Sequence, residues 1–211
     1  MFRQRTINSK TNTCSVEELQ QRYASGQRNF ARISLQGVNL KGADLRYINL
    51  KEADLRNSDL SGAILYGVNL EKANINFTQL DKAKLDGAFL SGATIACSSL
   101  VEANLSDTDL RKTSLDAANL TRAILNGADL SDAYLSSAEM QGAILYGAYF
   151  SNRTRFPGDY FAPLSRGMRL EAKIDIEDLL EKFNYLTHYG SHYFGPMITA
   201  KGNLLVQTQI C

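Results

Sequence analysis

The chain has 211 residues, enough for one or two domains, and its 44% apolar content argues against disorder across the core. Its 23 Lys and Arg balance 22 Asp and Glu, and residues 27–156 hold 14 of each sign, so the basic stripe of a nucleic-acid binder is missing. Three cysteines, Cys14, Cys97 and Cys211, are too few and too scattered for a disulfide framework or a zinc site, and read as free thiols of a reducing compartment.

Residues 1–13 are polar, and residues 1–26 lack the apolar core of a signal peptide. No apolar run approaches the roughly 18 residues that a membrane span needs, so no membrane span and a cytoplasmic location are expected. Ser15 opens a predicted helix over 15–25. The pattern Ser15-x-x-Glu18 has the form of a capping box, Val16, Leu19 and Tyr23 give an apolar side, and Gly26 stops it. A stacked repeat needs its ends covered, so this helix is expected over Phe30 and Leu35.

From Phe30 to Phe150 every fifth residue is large and apolar. Of these 25 centres 20 are Leu, and the others are Phe30, Ile75, Ile95, Met140 and Phe150. Two residues before each stands a small or β-branched residue, Ala in 15 units, with Arg28 the exception. A step of five makes no stripe on an α-helix and alternates faces on a flat strand. It works if the chain turns once per unit, always to the same side. Four turns of about 90° then close a square coil of 20 residues, with each centre and the residue two before it pointing inward. About six such coils, stacked at roughly 4.8 Å, give a rod roughly 30 Å long.

The stretch "GADLRYINLKEADLRNSDL", with Ala two before Leu and Asn or Asp one before it, resembles the pentapeptide-repeat proteins. Asn or Asp precedes the centre in 12 units, and Gly follows it by two in 9, where a tight corner is easiest. The lead-in "VEELQQRYASGQRNF" is similar to those of many cyanobacterial members. The resemblance implies an all-β solenoid, a right-handed quadrilateral β-helix, over 27–156, capped by short α-helices at both ends.

After Phe150 the phase slips by one residue. Phe156 takes the next centre, with Thr154 two before it, and Pro157 and Gly158 end the regular structure. Residues 157–211 are read as a linker to 170, an amphipathic helix and a tail. The helix begins at Asp175, shows Ile176, Leu179, Leu180, Phe183 and Leu186 on one face, and ends at Gly190. Its face is expected to dock on the last coils near Met140, Leu145 and Phe150, or to mate with a second copy as a homodimer. In the tail, "NLLVQTQI" reads as a strand.

No catalytic constellation stands out, and no enzyme activity, cofactor or metal is expected. His188 and His192 have the spacing of a metal pair, but Gly190 falls between them and no third ligand is placed. The Asp and Ser residues recur at turn positions, where such side chains bond the backbone. The surface remains. On the face of Leu45, Leu65, Leu85, Leu105, Leu125 and Leu145, the residues before the centres include Ile64, Ile124 and Ile144 in place of Asn or Asp, and Tyr66 and Tyr146 follow their Leu. Tyr134 and Tyr149 stand at turns on the next two faces.

Ile64, Tyr66, Ile124, Ile144 and Tyr146 therefore form a candidate protein-binding surface, open to a protein partner, to self-association or to cover by the C-terminal extension. The expected function is a non-catalytic scaffold. The family offers an alternative, since some members mimic DNA and inhibit DNA gyrase. The balanced charge here speaks against it, because a phosphate mimic needs a continuous negative face.

Overall fold

A computed structural model describes residues 12–158 and three further residue pairs, 169–170, 197–198 and 204–205. The chain winds through single parallel bridges that join residues twenty apart, such as Asn29 with Asn49, Ser99 with Asn119 and Ile124 with Ile144. Four five-residue units thus complete one turn, and the coil is four-sided.

Each unit has five amides, and each has a distinct destination. Around Leu85, the Leu85 N–H donates to Asn104 O one coil on (2.7 Å), and Gly87 N–H donates to Ser106 O (2.9 Å). Ala88 N–H closes the corner on Leu85 O (3.0 Å), and Phe89 N–H donates one coil back to Val68 O (2.9 Å). The fifth amide, just after the centre, has no rung to join, and an unpaired amide is costly unless something accepts it. This is where the Asn and Asp residues act. In all 12 units that carry one before the centre, its Oδ1 accepts that amide.

The corners demand left-handed backbone. The second corner residue has positive φ in nine units with Gly and in fourteen with another residue, Arg32 and Asp132 (both +61°) among them. Such a conformation costs an L-residue on the order of 1 kcal/mol, which the rungs on either side hold in place. Gly87 (φ +62°) has open space where a Cβ would lie, so Gly87→Ala isolates the backbone contribution. Chemical denaturation is expected to show a loss of about 1 kcal/mol, and an unchanged midpoint would remove the strain from the account.

The interior is filled by the chain itself. Every centre from Phe30 to Phe150 is buried, and the residues two before are buried almost throughout, from Ile33 to Ala148. Ser or Thr at these inner positions is tolerated because its hydroxyl donates to a centre carbonyl, in its own coil for Ser58 and one coil back for Thr108 to Leu85 O and Thr113 to Leu90 O (both 3.1 Å).

Helix α1 spans Val16–Ala24, with Ser15 Oγ accepting the Glu18 amide (3.1 Å). The Glu18 carboxylate meets Arg22 (3.2 Å). At the far end Gln27 N–H reaches Arg22 O and Gly26 N–H reaches Tyr23 O (both 3.0 Å), and Gly26 adopts φ +94°, a Schellman stop. Leu19 is fully buried in the same core as Phe30 and Leu35. Arg22 stacks over Phe30 (4.9 Å), and Tyr23 donates to Arg46 O (3.1 Å), which ties the helix to the first coils. Before it, Thr13 bridges Ser34 and the buried Cys14 lies under the first complete coil, a rung whose register is 21 residues and which the five-residue period does not reveal.

At the other end Phe156 does follow the one-residue slip. Leu135 N–H donates to Arg155 O (2.7 Å), Thr154 Oγ1 donates to Leu130 O (2.8 Å), and the Phe156 ring meets Phe150 edge-on at 5.8 Å. Strand β1 (Tyr149–Phe150) pairs in parallel with β2 (Arg169–Leu170), so the stretch read as a linker ends in a further rung twenty residues above Phe150. Strand β3 (Met197–Ile198) pairs antiparallel with β4 (Leu204–Leu205); β4 falls inside the stretch 203–210 read as a strand, and β3 lies before it. The predicted helix from Asp175, its docking and the His188–His192 pair lie outside the described residues.

Candidate protein-binding surface

The outward polar residues are largely engaged with their own chain. In three Asp-Leu-Arg units the carboxylate before the centre accepts both the arginine amide and a two-pronged guanidinium fork. The Nη2 to Oδ2 distance is 2.7 Å in each of Asp44–Arg46, Asp54–Arg56 and Asp109–Arg111. Those hydrogen bonds hold the three carboxyls below the usual carboxylate range. Other charges alternate in sign from coil to coil, as Arg32–Glu52 (2.8 Å), Lys51–Glu71 (2.6 Å) and Arg122–Glu102 (3.2 Å).

A cleft of about 370 Å³ lies beside α1, lined by Arg22, Phe30, Arg32 and Lys51 among others. Each of these cations already meets a carboxylate, of Glu18, Glu52 and Glu71 respectively. Among the described residues no group of three or more His, Cys, Asp and Glu is placed to hold a metal, and no helix is long and apolar enough to cross a membrane. Cys14 is buried, and burial pushes its thiol up, away from the reactive thiolate; Cys97 is exposed at a corner.

The five residues picked from the sequence fall into two groups. Ile124 bridges Ile144 directly, and Tyr146 stands beside them, its amide held by Asn126 Oδ1 (3.1 Å). Ile144 is 51% exposed and Tyr146 70%. Ile64 and Tyr66 belong to the same face but not the same patch. Three rungs, through Lys84 and Asn104, separate Ile64 from Ile124, roughly 14 Å at strand spacing, and both residues are half-buried. Tyr134 and Tyr149 occupy bridging positions before their centres and not corners. There they replace Asn or Asp, which is why their rings point outward.

Sequence reasoning missed three exposed aromatics, Tyr47, Phe77 and Phe89. Phe89 carries the signal that marked Ile64, an apolar residue in the Asn/Asp position. Tyr47 and Phe77 sit at left-handed corners, where residue type gives little warning. Tyr47 lies over the next corner of its column, so close that a Cβ on Gly67 would come within 2.7 Å of its ring.

A coil with four five-residue sides, a plugged interior and polar ladders outside defines the four-sided β-helix class. The profile for pentapeptide repeats matches residues 33–71, 73–111 and 113–152, in eight copies and over more than half of the chain. The chain belongs to the pentapeptide-repeat family, and its fold is the right-handed quadrilateral β-helix. Among solved structures it is similar to HetL of the cyanobacterium Nostoc sp. strain PCC 7120, a pentapeptide repeat protein involved in heterocyst differentiation regulation. That match has 30% identity over 65% of this chain and 67% of the other, with a TM-score of 0.46. It also resembles QnrB1, a plasmid-mediated fluoroquinolone resistance protein, with 13% identity over 75% of this chain and 92% of that one and a TM-score of 0.56. A pentapeptide repeat protein of the Arabidopsis thaliana thylakoid lumen matches at 22% identity, over 80% and 85% of the two chains, with a TM-score of 0.44. No curated protein matches the chain.

Proposed function

We propose that the protein is a non-catalytic scaffold that binds another protein through an outer face, with Ile124, Ile144 and Tyr146 at the centre of the contact. The observation that carries this is the patch itself, in which Ile144 and Tyr146 are exposed and Ile124 is half-buried. It lies where the repeat's self-satisfying Asn or Asp has been exchanged for apolar side chains, on a rod whose interior is filled. Large apolar and aromatic groups that return nothing to the fold's own hydrogen bonding suit a contact surface. Catalysis needs convergent polar groups in a cleft, and the carboxylates of Asp44, Asp54 and Asp109 are each engaged by a neighbouring amide and guanidinium.

The charge pattern argues against the DNA-mimic alternative. Three of the acids are locked to their own arginines, and others alternate with cations along the stack, so among the described residues no continuous negative stripe faces outward. A supercoiling assay with purified gyrase is the corresponding control, and inhibition at micromolar protein would reverse this ranking.

The direct test uses Ile124→Asp, Ile144→Asp and Tyr146→Ala. Each is expected to lower retention of a partner, or self-association measured by sedimentation, by tenfold or more (about 1.4 kcal/mol or above) while leaving the thermal midpoint within a few degrees. Association unchanged in all three variants would reject the patch as the contact.

A further inference from the structure

We infer that the cleft beside α1 is a binding site for a small organic anion, a flat apolar body bearing an oxyanion head. It lies at the α1 end of the rod, away from Ile144 and Tyr146, and stands independently of the protein contact proposed there. The rod as a whole is neutral, but the lining of this cleft is not. Arg22, Arg32 and Lys51 line it with one carboxylate, that of Glu52, so its described lining carries two positive charges in excess. The acids that pair with Arg22 and Lys51 are Glu18 and Glu71, and neither is a lining residue, so both hold their cations from outside the cleft.

The three cations are already set in place. Arg22 gives its Nε–H to Gln27 Oε1 (3.1 Å) and its Nη1 to Glu18 (3.2 Å), and its guanidinium lies over the Phe30 ring, so three anchors fix its plane. Arg32 and Lys51 occupy neighbouring coils, joined by the Arg32 N–H to Lys51 O (2.8 Å). Asn12, also in the lining, donates from its side chain to Arg32 O (3.2 Å). Donors remain for a ligand. Arg32 meets Glu52 through Nε, and a guanidinium carries four more N–H on its Nη atoms; Lys51 has three N–H and directs one at Glu71. A guanidinium fork matches a carboxylate or a phosphate. Exposed ion pairs of this kind are weak, so a ligand oxyanion joins or replaces them at small cost.

The same cleft has apolar wall. Phe30, Ala31 and Ile33 line it, and Phe30 and Ile33 belong to the core. Its volume of about 370 Å³ lies at the lower end of the range for small-molecule sites, roughly 300–1,000 Å³. Anchored cations beside apolar wall suit a ligand that has both a charge and a ring, and anchoring lowers the cost of ordering the site on binding.

The experiment is a nuclear magnetic resonance titration of the isotope-labelled full chain with benzoate and with phenyl phosphate. Either is expected to move the amides of Ala31, Arg32, Ile33 and Lys51 saturably, with a Kd below about 1 mM, and the tighter of the two identifies the head group. Benzamide, which lacks the charge, and acetate, which lacks the ring, are each expected to bind at least about tenfold more weakly. The double variant Arg32→Gln/Lys51→Gln is expected to lose at least about tenfold in affinity. Arg122→Gln removes an equally exposed cation at another corner, where it pairs with Glu102, and is expected to change nothing. Arg32 is 76% exposed at its side chain, so the double variant is expected to keep its thermal midpoint within a few degrees. No saturable shift at these amides with either anion would overturn the inference. So would benzamide or acetate binding as tightly as benzoate, an equal loss in Arg122→Gln, an unchanged affinity in the double variant, or shifts centred on Ile144 and Tyr146.

Discussion

Leu105→Ala is expected to destabilise the rod by about 2–5 kcal/mol, toward the upper end of that range. Leu105 is wholly buried in the middle of the stack. The cost of removing a side chain depends on how well its surroundings collapse into the space, and here they are held apart. Leu105 N–H is pinned to Ile124 O (2.7 Å) and Asn104 N–H to Ala83 O (2.9 Å), so the coils above and below cannot close without breaking rungs. In a solenoid each repeat contacts only its neighbours, so a weakened central coil also uncouples the two ends. Urea denaturation followed by circular dichroism should show a lower midpoint and, where the ends separate, a shallower transition. A loss below about 1 kcal/mol would mean that the interior is not packed as described.

Ala103→Leu is the complementary experiment, with an expected cost of about 1–3 kcal/mol from overpacking. Ala103 stands in an inner column with Ala83 and Ala123, each wholly buried. The column lies beside the corner, where the chain has just turned and the wall is nearest. Three extra carbons there must push either the centre side chains or the rung itself. Ala103→Ser separates volume from polarity. Thr108 and Thr113 hold buried hydroxyls at the equivalent position by donating to a centre carbonyl one coil back, so a serine has an acceptor available, the Leu80 carbonyl. It is expected to change stability by less than about 1 kcal/mol. Equal losses from Leu and Ser would show that the inner column tolerates no hydroxyl, against the pattern of its neighbours.

The winding was legible because its cause is a period, and a period of five fits neither helix nor flat strand. The role of Asn and Asp was legible for the same reason, since turn-forming side chains at a fixed place imply backbone bonds. What escaped lies where the period slips. The rung at Thr13 sits 21 residues from its partner with no sign in the period, whereas the equal slip at Arg155 was marked by Phe156, and Arg169–Leu170 follows a Pro-Gly break that looks like the end of ordered repeats. Corners were half legible. Gly marks nine, but fourteen are held left-handed by neighbouring rungs in spite of their side chains. On the surface, belonging to one face was mistaken for contact. Ile64 shares a column with Ile124, and three rungs of chain still lie between them.

The twenty-residue register is the claim on which the filled interior, the outer ladders and the position of the patch all depend. It is tested most directly by short thiol cross-linking in a cysteine-free background, with Ser99→Cys and Asn119→Cys on neighbouring rungs. Dibromobimane is expected to join this pair readily, since neighbouring strands lie about 4.8 Å apart, and to leave Ser99→Cys with Ser114→Cys unjoined. Equal cross-linking of both pairs, or of the second alone, would contradict the four-sided winding.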